Sequence, residues 1–163
     1  MDVRDKHLAE IVLQRLCRDS QIDGIRFGPV LQILFSHNNY EGDAPISGQV
    51  YLNLGSGWTV FDSRPAFFPK SEDELPKASA EKQIHAICDL RERAIVKVEL
   101  GENEPHLILT LDDGRVVFVN GKHDMYECWD IGVAFSGEMW KVIACPGGAL
   151  AIWAPKSFVP SGA

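Results

Sequence analysis

The alternation of apolar and polar residues is clearest in the segment Leu107–Phe118. This segment reads LILTLDDGRVVF, with two β-rich runs on either side of Asp112-Asp113-Gly114. Asp-Gly is typical of tight hairpin turns, because glycine reaches positive φ without steric cost and aspartate tolerates it. The sequence therefore predicts an antiparallel hairpin centred on Gly114.

A similar phrase occurs earlier, in Leu52–Phe61, and both segments fit Leu-x-Leu-x-x-Gly-x-x-Val-Phe. This echo predicts two related β units, residues 24–62 and residues 93–155. In the first unit we expect a strand at Ile25–Phe35, interrupted early by Gly28-Pro29, and a hairpin formed by Gln49–Leu54 and Trp58–Asp62. In the second unit, short runs separated by Gly, Asp and Pro turns predict strands at Ala94–Leu100, His106–Leu111, Arg115–Asn120, Tyr126–Val133, Glu138–Cys145 and Ala149–Trp153.

Two segments have helical rather than strand periodicity. Asp2–Ser20 predicts an amphipathic helix whose apolar stripe comprises Val3, Leu8, Ile11, Val12 and Leu16. Ser79 is a suitable N-cap for a second helix that runs to about Leu90 and points Ile84, Ile87, Cys88 and Leu90 inward. Residues 63–80 are rich in proline and predict a surface connection, and residues 156–163 a loosely held tail.

These elements predict an α+β fold: largely antiparallel twisted sheets from two related β units, with both helices packed on one side. A length of 163 residues is typical of one domain. The net charge of -7 argues against nucleic acid as a partner, since phosphate binding depends on clustered Lys and Arg. No apolar run approaches the roughly 20 residues of a membrane helix, so no membrane association is expected.

The four cysteines lie far apart in the sequence, at Cys17, Cys88, Cys128 and Cys145. The first residues mix acids with bases and give no export signal, so free thiols and a cytoplasmic location are expected. Cys145 precedes Pro146-Gly147-Gly148, but a reactive thiol needs a neighbouring base or positive field. We interpret it as a thiol that ends a strand.

The second half resembles a family of small bacterial proteins built from two tandem β units and known as a domain of unknown function. The similar patterns are Leu-x-x-Asp-Asp-Gly at Leu109–Gly114, Tyr-Glu-x-Trp at Tyr126–Trp129, and Pro-Gly-Gly-x-x-Ala-x-Trp at Pro146–Trp153. The resemblance implies the architecture and no substrate, cofactor or catalytic residue. In size and general architecture, small proteins of this kind are also similar to immunity proteins of bacterial toxin systems.

Two groups of side chains raise the question of metal binding. Asp112, Asp113, Glu127 and Asp130 form a carboxylate set, but a hairpin turn explains Asp-Asp-Gly by itself. In a strand, Glu127 and Asp130 would point to opposite faces. His85 and Cys88 share a helix face, whereas a zinc site needs three or four ligands. The sequence therefore predicts no catalytic residue, metal site or cofactor.

We interpret the chain as a non-enzymatic protein-binding module, in its most specific form an immunity-like inhibitor of a basic toxin domain. The candidate partner-binding residues are the acidic run Glu72, Asp73 and Glu74 and the aromatic residues Trp129 and Trp153. Large amphipathic rings are enriched at interfaces. Two alternatives stay open: a ligand binder or enzyme with a pocket between the β units near the two tryptophans, and a homo-oligomer whose sheet edges or helix faces pair.

Overall fold

The computed structural model describes residues 1–36, 46–135 and 139–158. In these ranges the chain forms two α-helices, two short 3-10 helices and ten strands. They are α1 (Val3–Cys17), β1 (Gln21–Arg26), β2 (Leu31–Ser36), β3 (Gln49–Leu54), β4 (Trp58–Phe61), the 3-10 turn Glu72–Glu74, α2 (Ala80–Cys88), β5 (Ile95–Leu100), β6 (Leu107–Leu111), β7 (Val116–Val119), β8 (Trp129–Ala134), β9 (Lys141–Cys145), the 3-10 turn Pro146–Gly148 and β10 (Ala149–Trp153).

The strands form two antiparallel sheets, which confirms the α+β class. One sheet has six strands in the order β1-β2-β3-β8-β9-β10, and the other has four in the order β4-β7-β6-β5. Each half of the sequence contributes to both sheets. The largest cluster of buried side chains likewise draws on both sheets and on α1.

The predicted hairpin at Gly114 is present. β6 pairs with β7 from Leu107 opposite Val119 to Thr110 opposite Val116. Gly114 has φ of 88°, in the left-handed region that favours glycine, and its N–H donates to the carbonyl of Leu111 (3.0 Å). The local turn signal was therefore sufficient here.

The predicted hairpin of Gln49–Leu54 with Trp58–Asp62 is wrong, because the chain crosses from one sheet to the other at Gly55-Ser56-Gly57. β3 pairs with β2 and β8, whereas β4 pairs with β7. The crossing is fixed by distant partners: Gly55 N–H donates to the carbonyl of Cys128 (2.9 Å) and Ser56 Oγ donates to that of Asn120 (2.6 Å). The two similar phrases thus differ in their pairing, because one forms a hairpin within a sheet and the other joins the two sheets.

Other boundaries differ from the sequence pattern. The predicted strand Ile25–Phe35 is two paired strands, β1 and β2, with Gly28-Pro29 in the turn between them. Proline has no N–H for a ladder, which favours the turn. β8 begins at Trp129 rather than Tyr126. β9 begins at Lys141, and its predicted first residue, Glu138, lies outside the described residues.

The buried stripe of α1 is rotated from the predicted one. Val3 and Leu8 are exposed, and the buried side chains follow helical spacing from Ala9 through Val12, Leu13 and Leu16 to Cys17. In α2, Ser79 caps the helix through the N–H of Lys82 as predicted, but Cys88 is exposed instead of inward.

The helices connect the two sheets. α1 contacts β5 of the four-stranded sheet and β9 and β10 of the six-stranded sheet, and α2 contacts β4 and β1. The first residues after β10 are also packed: Pro155 is buried and the Phe158 ring meets Trp140 edge-on, with centroids 5.0 Å apart. The predicted loose tail is therefore packed against the fold as far as Phe158. Residues 159–163 lie outside the described ranges.

Candidate functional site

The acidic run Glu72, Asp73 and Glu74 forms one turn of 3-10 helix on the surface. All three residues are exposed. The turn is attached through the half-buried Leu75, which packs with Ile108, Val116 and Phe118 on the outer face of the four-stranded sheet. The predicted surface connection therefore presents its carboxylates from a fixed position.

Exposed apolar side chains lie on both sides of this acidic turn. On one side, a shallow depression is lined by Ser71, Glu72, Asp73, Lys122, His123, Asp124 and Met125. Met125 is 83% exposed. On the other side, Glu74 shares a depression with Phe67, which is 90% exposed. We call the surface formed by Phe67, Glu72, Asp73, Glu74, Asp124, Met125 and Tyr126 the acidic surface.

Hydrogen bonds hold the acidic surface in shape. Tyr126 Oη donates to Glu72 Oε2 (3.4 Å), and the Lys70 N–H donates to Glu74 Oε2 (2.8 Å). Burial and the nearby Glu72 carboxylate raise the pKa of Tyr126. The ring of Tyr126 stacks on His123 with centroids 3.4 Å apart. The surface thus combines carboxylates with an ordered aromatic ring.

The two candidate tryptophans are in very different places. Trp129 is only 1% exposed, and its Nε1–H donates to the carbonyl of Pro105 (2.7 Å). This makes it a core side chain that offers no ring to a partner. Trp153 is 42% exposed at the end of β10, the last strand of the six-stranded sheet. The structure therefore does not bring either tryptophan into the acidic surface.

A polar network on the six-stranded sheet was not foreseen from the sequence. Asn53 Nδ2 donates to Asp130 Oδ2 (2.9 Å), and Lys141 Nζ lies 3.3 Å from Asp130 Oδ1. Burial and the Asp130 carboxylate both raise the pKa of Tyr51. Burial alone would lower the pKa of Lys141, but the same carboxylate outweighs it and the pKa is raised. Period-two alternation places these residues on one face, but only the strand order makes them neighbours.

A cleft of about 550 Å³ opens over the four-stranded sheet. Its floor is Phe68, Ile108 and Phe118, and its rim carries charges of both signs. Arg64 pairs with Glu99 (2.6 Å) and Lys122 with Glu104 (3.0 Å). Neither Trp129 nor Trp153 lines the cleft, so this cleft is not the pocket expected near the two tryptophans.

His106 is the buried ionisable side chain of this cleft, at 7% exposure. Its Nδ1 accepts a hydrogen bond from the Gly121 N–H (2.9 Å), which requires an unprotonated Nδ1. Burial lowers the pKa of His106, although the Glu104 carboxylate and the backbone of Lys70 oppose that shift. The imidazole acts as a hydrogen-bond acceptor inside the fold.

The side chains considered for chemistry lie apart. Asp113 pairs with Arg115 (2.7 Å) at the hairpin tip, whereas Asp130 belongs to the other sheet. Burial raises the pKa of Cys128 to about 11, and it also raises the pKa of Cys17 and of Cys145. In the described ranges there is no group of three or more His, Cys, Asp or Glu side chains that could hold a metal ion. No helix in the same ranges is long and apolar enough to span a bilayer.

Comparison with known proteins assigns no family. No family model matches the sequence, and no curated protein or solved structure is significantly similar to it. The resemblance of the second half to small bacterial proteins therefore stays a prediction.

Proposed function

We propose that the protein is a non-enzymatic binding module whose acidic surface docks a basic partner protein. One observation carries the proposal: a single fixed turn presents Glu72, Asp73 and Glu74 between the exposed apolar side chains of Phe67 and Met125. Apolar anchors surrounded by charge are typical of interfaces in which the anchors supply affinity and the charges supply orientation and association rate.

The environment of three of the four thiols is compatible with a binding role. A thiolate is the reactive form of cysteine, and burial raises the pKa of Cys17, Cys128 and Cys145 away from it. Tyr51 and Tyr126 are likewise shifted toward the protonated phenol. All four cysteines are free thiols, which suits a reducing compartment such as the cytoplasm. An immunity-like inhibitor of a basic toxin domain is one specific form of this proposal.

The test compares a neutralised acidic surface with a matched control. The test variant carries Glu72→Gln, Asp73→Asn and Glu74→Gln. The control carries Asp23→Asn, Asp62→Asn and Glu102→Gln, which remove the same charge from exposed positions elsewhere. Each protein is immobilised and challenged at low salt with the basic proteins of a native lysate, and bound proteins are identified by mass spectrometry.

We expect a basic protein to bind the wild type and the control and to be lost from the test variant. Its association rate should fall as salt is added, because exposed charges are screened over about 10 Å at 0.1 M ionic strength. Equal retention on the test variant and on the control would reject the acidic surface as the binding site.

A second candidate function is small-molecule binding in the cleft above Phe118. The cleft volume of about 550 Å³ is in the range typical of ligand sites. Its rim offers both ammonium and carboxylate groups, which suits a zwitterionic ligand with an apolar body. Calorimetric titration with the twenty amino acids tests it, and Ile108→Trp, which would fill the floor, should abolish any heat that is observed.

A further inference from the structure

On three of the four sheet edges, hydrogen bonds from other parts of the chain reach outward-facing backbone groups. At the β5 edge, α1 contributes two side chains: Glu10 Oε1 accepts from the Leu100 N–H (3.1 Å) and Gln14 Nε2 donates to the Val98 carbonyl (3.1 Å). Because an open edge is a template for another strand, these contacts protect β5 from pairing.

The β4 and β1 edges are each contacted at one residue. Gln83 of α2 donates to the Trp58 carbonyl (3.3 Å) at the β4 edge. At the β1 edge, the Ile22 N–H donates to the Arg93 carbonyl (3.0 Å) and the Glu92 N–H donates to the Ile22 carbonyl (2.8 Å). Each of these three edges therefore has at least one outward backbone group bonded by another part of the chain.

β10 is the exception. It pairs with β9 on one side, and among the described residues no hydrogen bond reaches the backbone groups on its other side. The strand, Ala149-Leu150-Ala151-Ile152-Trp153, contains neither a charged residue nor a proline. Those are the usual devices that prevent an edge from pairing.

The register shows which backbone groups face outward from β10. The Trp140 carbonyl accepts from the Val133 N–H and the Ala144 carbonyl accepts from the Cys128 N–H, so even-numbered residues of this region bond toward β8. Ile143 therefore bonds toward β10, where it is opposite Ala151. Because the backbone groups of a strand alternate in direction, those of Leu150 and Ile152 point to the open edge.

We propose that β10 pairs antiparallel with β10 of a second copy of this chain, about a two-fold axis at Ala151. In this register Leu150 is opposite Ile152 of the second copy, so all four outward N–H and C=O groups of these two residues are bonded. Ala149 is then opposite Trp153 of the second copy, which places the smallest side chain against the largest. This self-complementarity favours a second copy over an unrelated strand, and the six-stranded sheets join into one continuous sheet.

Analytical ultracentrifugation over a range of protein concentrations tests the proposal. The wild type should dimerise. Ala151→Lys places two ammonium groups opposite each other at the two-fold axis and should raise the dissociation constant by about tenfold or more. Val96→Lys is the control, since it adds the same charge at an exposed position on β5. Circular dichroism checks that both variants fold.

Oxidative cross-linking tests the register, in a Cys88→Ser, Cys145→Ser background. These changes remove the exposed thiol and the thiol directly opposite Ala149 on β9. In a non-hydrogen-bonded antiparallel pair the Cα atoms are about 4.5 Å apart, which a disulfide can span, so Ala151→Cys should form a linked dimer with oxidised glutathione. Ala149→Cys lies four positions, about 13 Å, from its own copy and should not.

A protein that is monomeric at every concentration overturns the proposal and leaves the edge to a strand of another protein. A dimer that Ala151→Lys leaves intact, or one that Ala149→Cys links as fast as Ala151→Cys, overturns it too.

Discussion

Acid should weaken the fold through His106, the buried imidazole of the cleft. His106 Nδ1 accepts the Gly121 N–H at 2.9 Å, and the Phe118 ring lies 5.2 Å away between centroids. Protonation of Nδ1 removes this acceptor and places a positive charge among apolar side chains. Burial accordingly lowers the pKa of His106 below its ordinary value, despite Glu104.

The direction and size of the effect follow from proton linkage. Because the pKa is lower in the folded state than in the unfolded state, the unfolded chain binds the proton first as pH falls. The stabilisation from neutral His106 is therefore complete above about pH 6.5 and is lost as pH falls from there toward the pKa of the folded state. In that window one proton changes the free energy of unfolding by at most about 1.4 kcal/mol per pH unit.

Urea unfolding of the wild type and His106→Asn, from about pH 8 to about pH 5, measures this contribution. The asparagine Oδ1 can still accept the Gly121 N–H but does not titrate. The stability advantage of the wild type over the variant should shrink below about pH 6.5. An advantage that is constant with pH, or one that grows in acid, would refute this account of His106.

Three substitutions test other contacts by urea or thermal unfolding. Trp129→Phe leaves the Pro105 carbonyl without its 2.7 Å donor and should cost about 1–3 kcal/mol, and no loss of stability would contradict a stabilising role for this hydrogen bond. Gln14→Ala leaves the Val98 carbonyl to water and should cost about 1 kcal/mol, and a larger loss would point to packing. Gly121→Ala would drive a Cβ into the Pro105 carbonyl and should cost about 3 kcal/mol, and a neutral effect would contradict the close backbone approach.

Elements whose signals are local could be predicted from the sequence. The β6–β7 hairpin depends on Gly114, whose positive φ is a property of the turn itself. The start of α2 depends on Ser79, whose side chain accepts the N–H of Lys82 three residues further along. The six-to-four division of the strands depends on pairings between distant segments, such as β3 with β8, and no short pattern encodes these.

The candidate site could be predicted only where its residues are close together in the sequence. The acidic run is contiguous, so its exposure in a proline-rich segment could be anticipated from Glu72, Asp73 and Glu74 alone. Its neighbours Phe67 and Met125 come from other parts of the chain and are joined to it only by the fold. Trp129 is a candidate in the sequence because large amphipathic rings are enriched at interfaces, but the fold buries its ring and bonds its Nε1–H to the Pro105 carbonyl.

Gly57 links the error in the predicted fold to the acidic surface. Gly57 occupies the same position of the repeated sequence motif as Gly114, and this position predicts a second hairpin. In the structure a Cβ at Gly57 would lie 2.5 Å from Leu75 Cδ1 and 2.7 Å from Glu72 Cγ, whereas one at Gly114 would meet nothing within 4 Å. At Gly57 the side chains of Leu75 and Glu72 pack directly on the backbone, whereas at Gly114 the positive φ favours glycine. The same residue type in the same motif therefore has two roles in the four-stranded sheet. Gly114 shapes the β6–β7 hairpin, and Gly57 lets the acidic turn pack beside the start of β4, which pairs with β7.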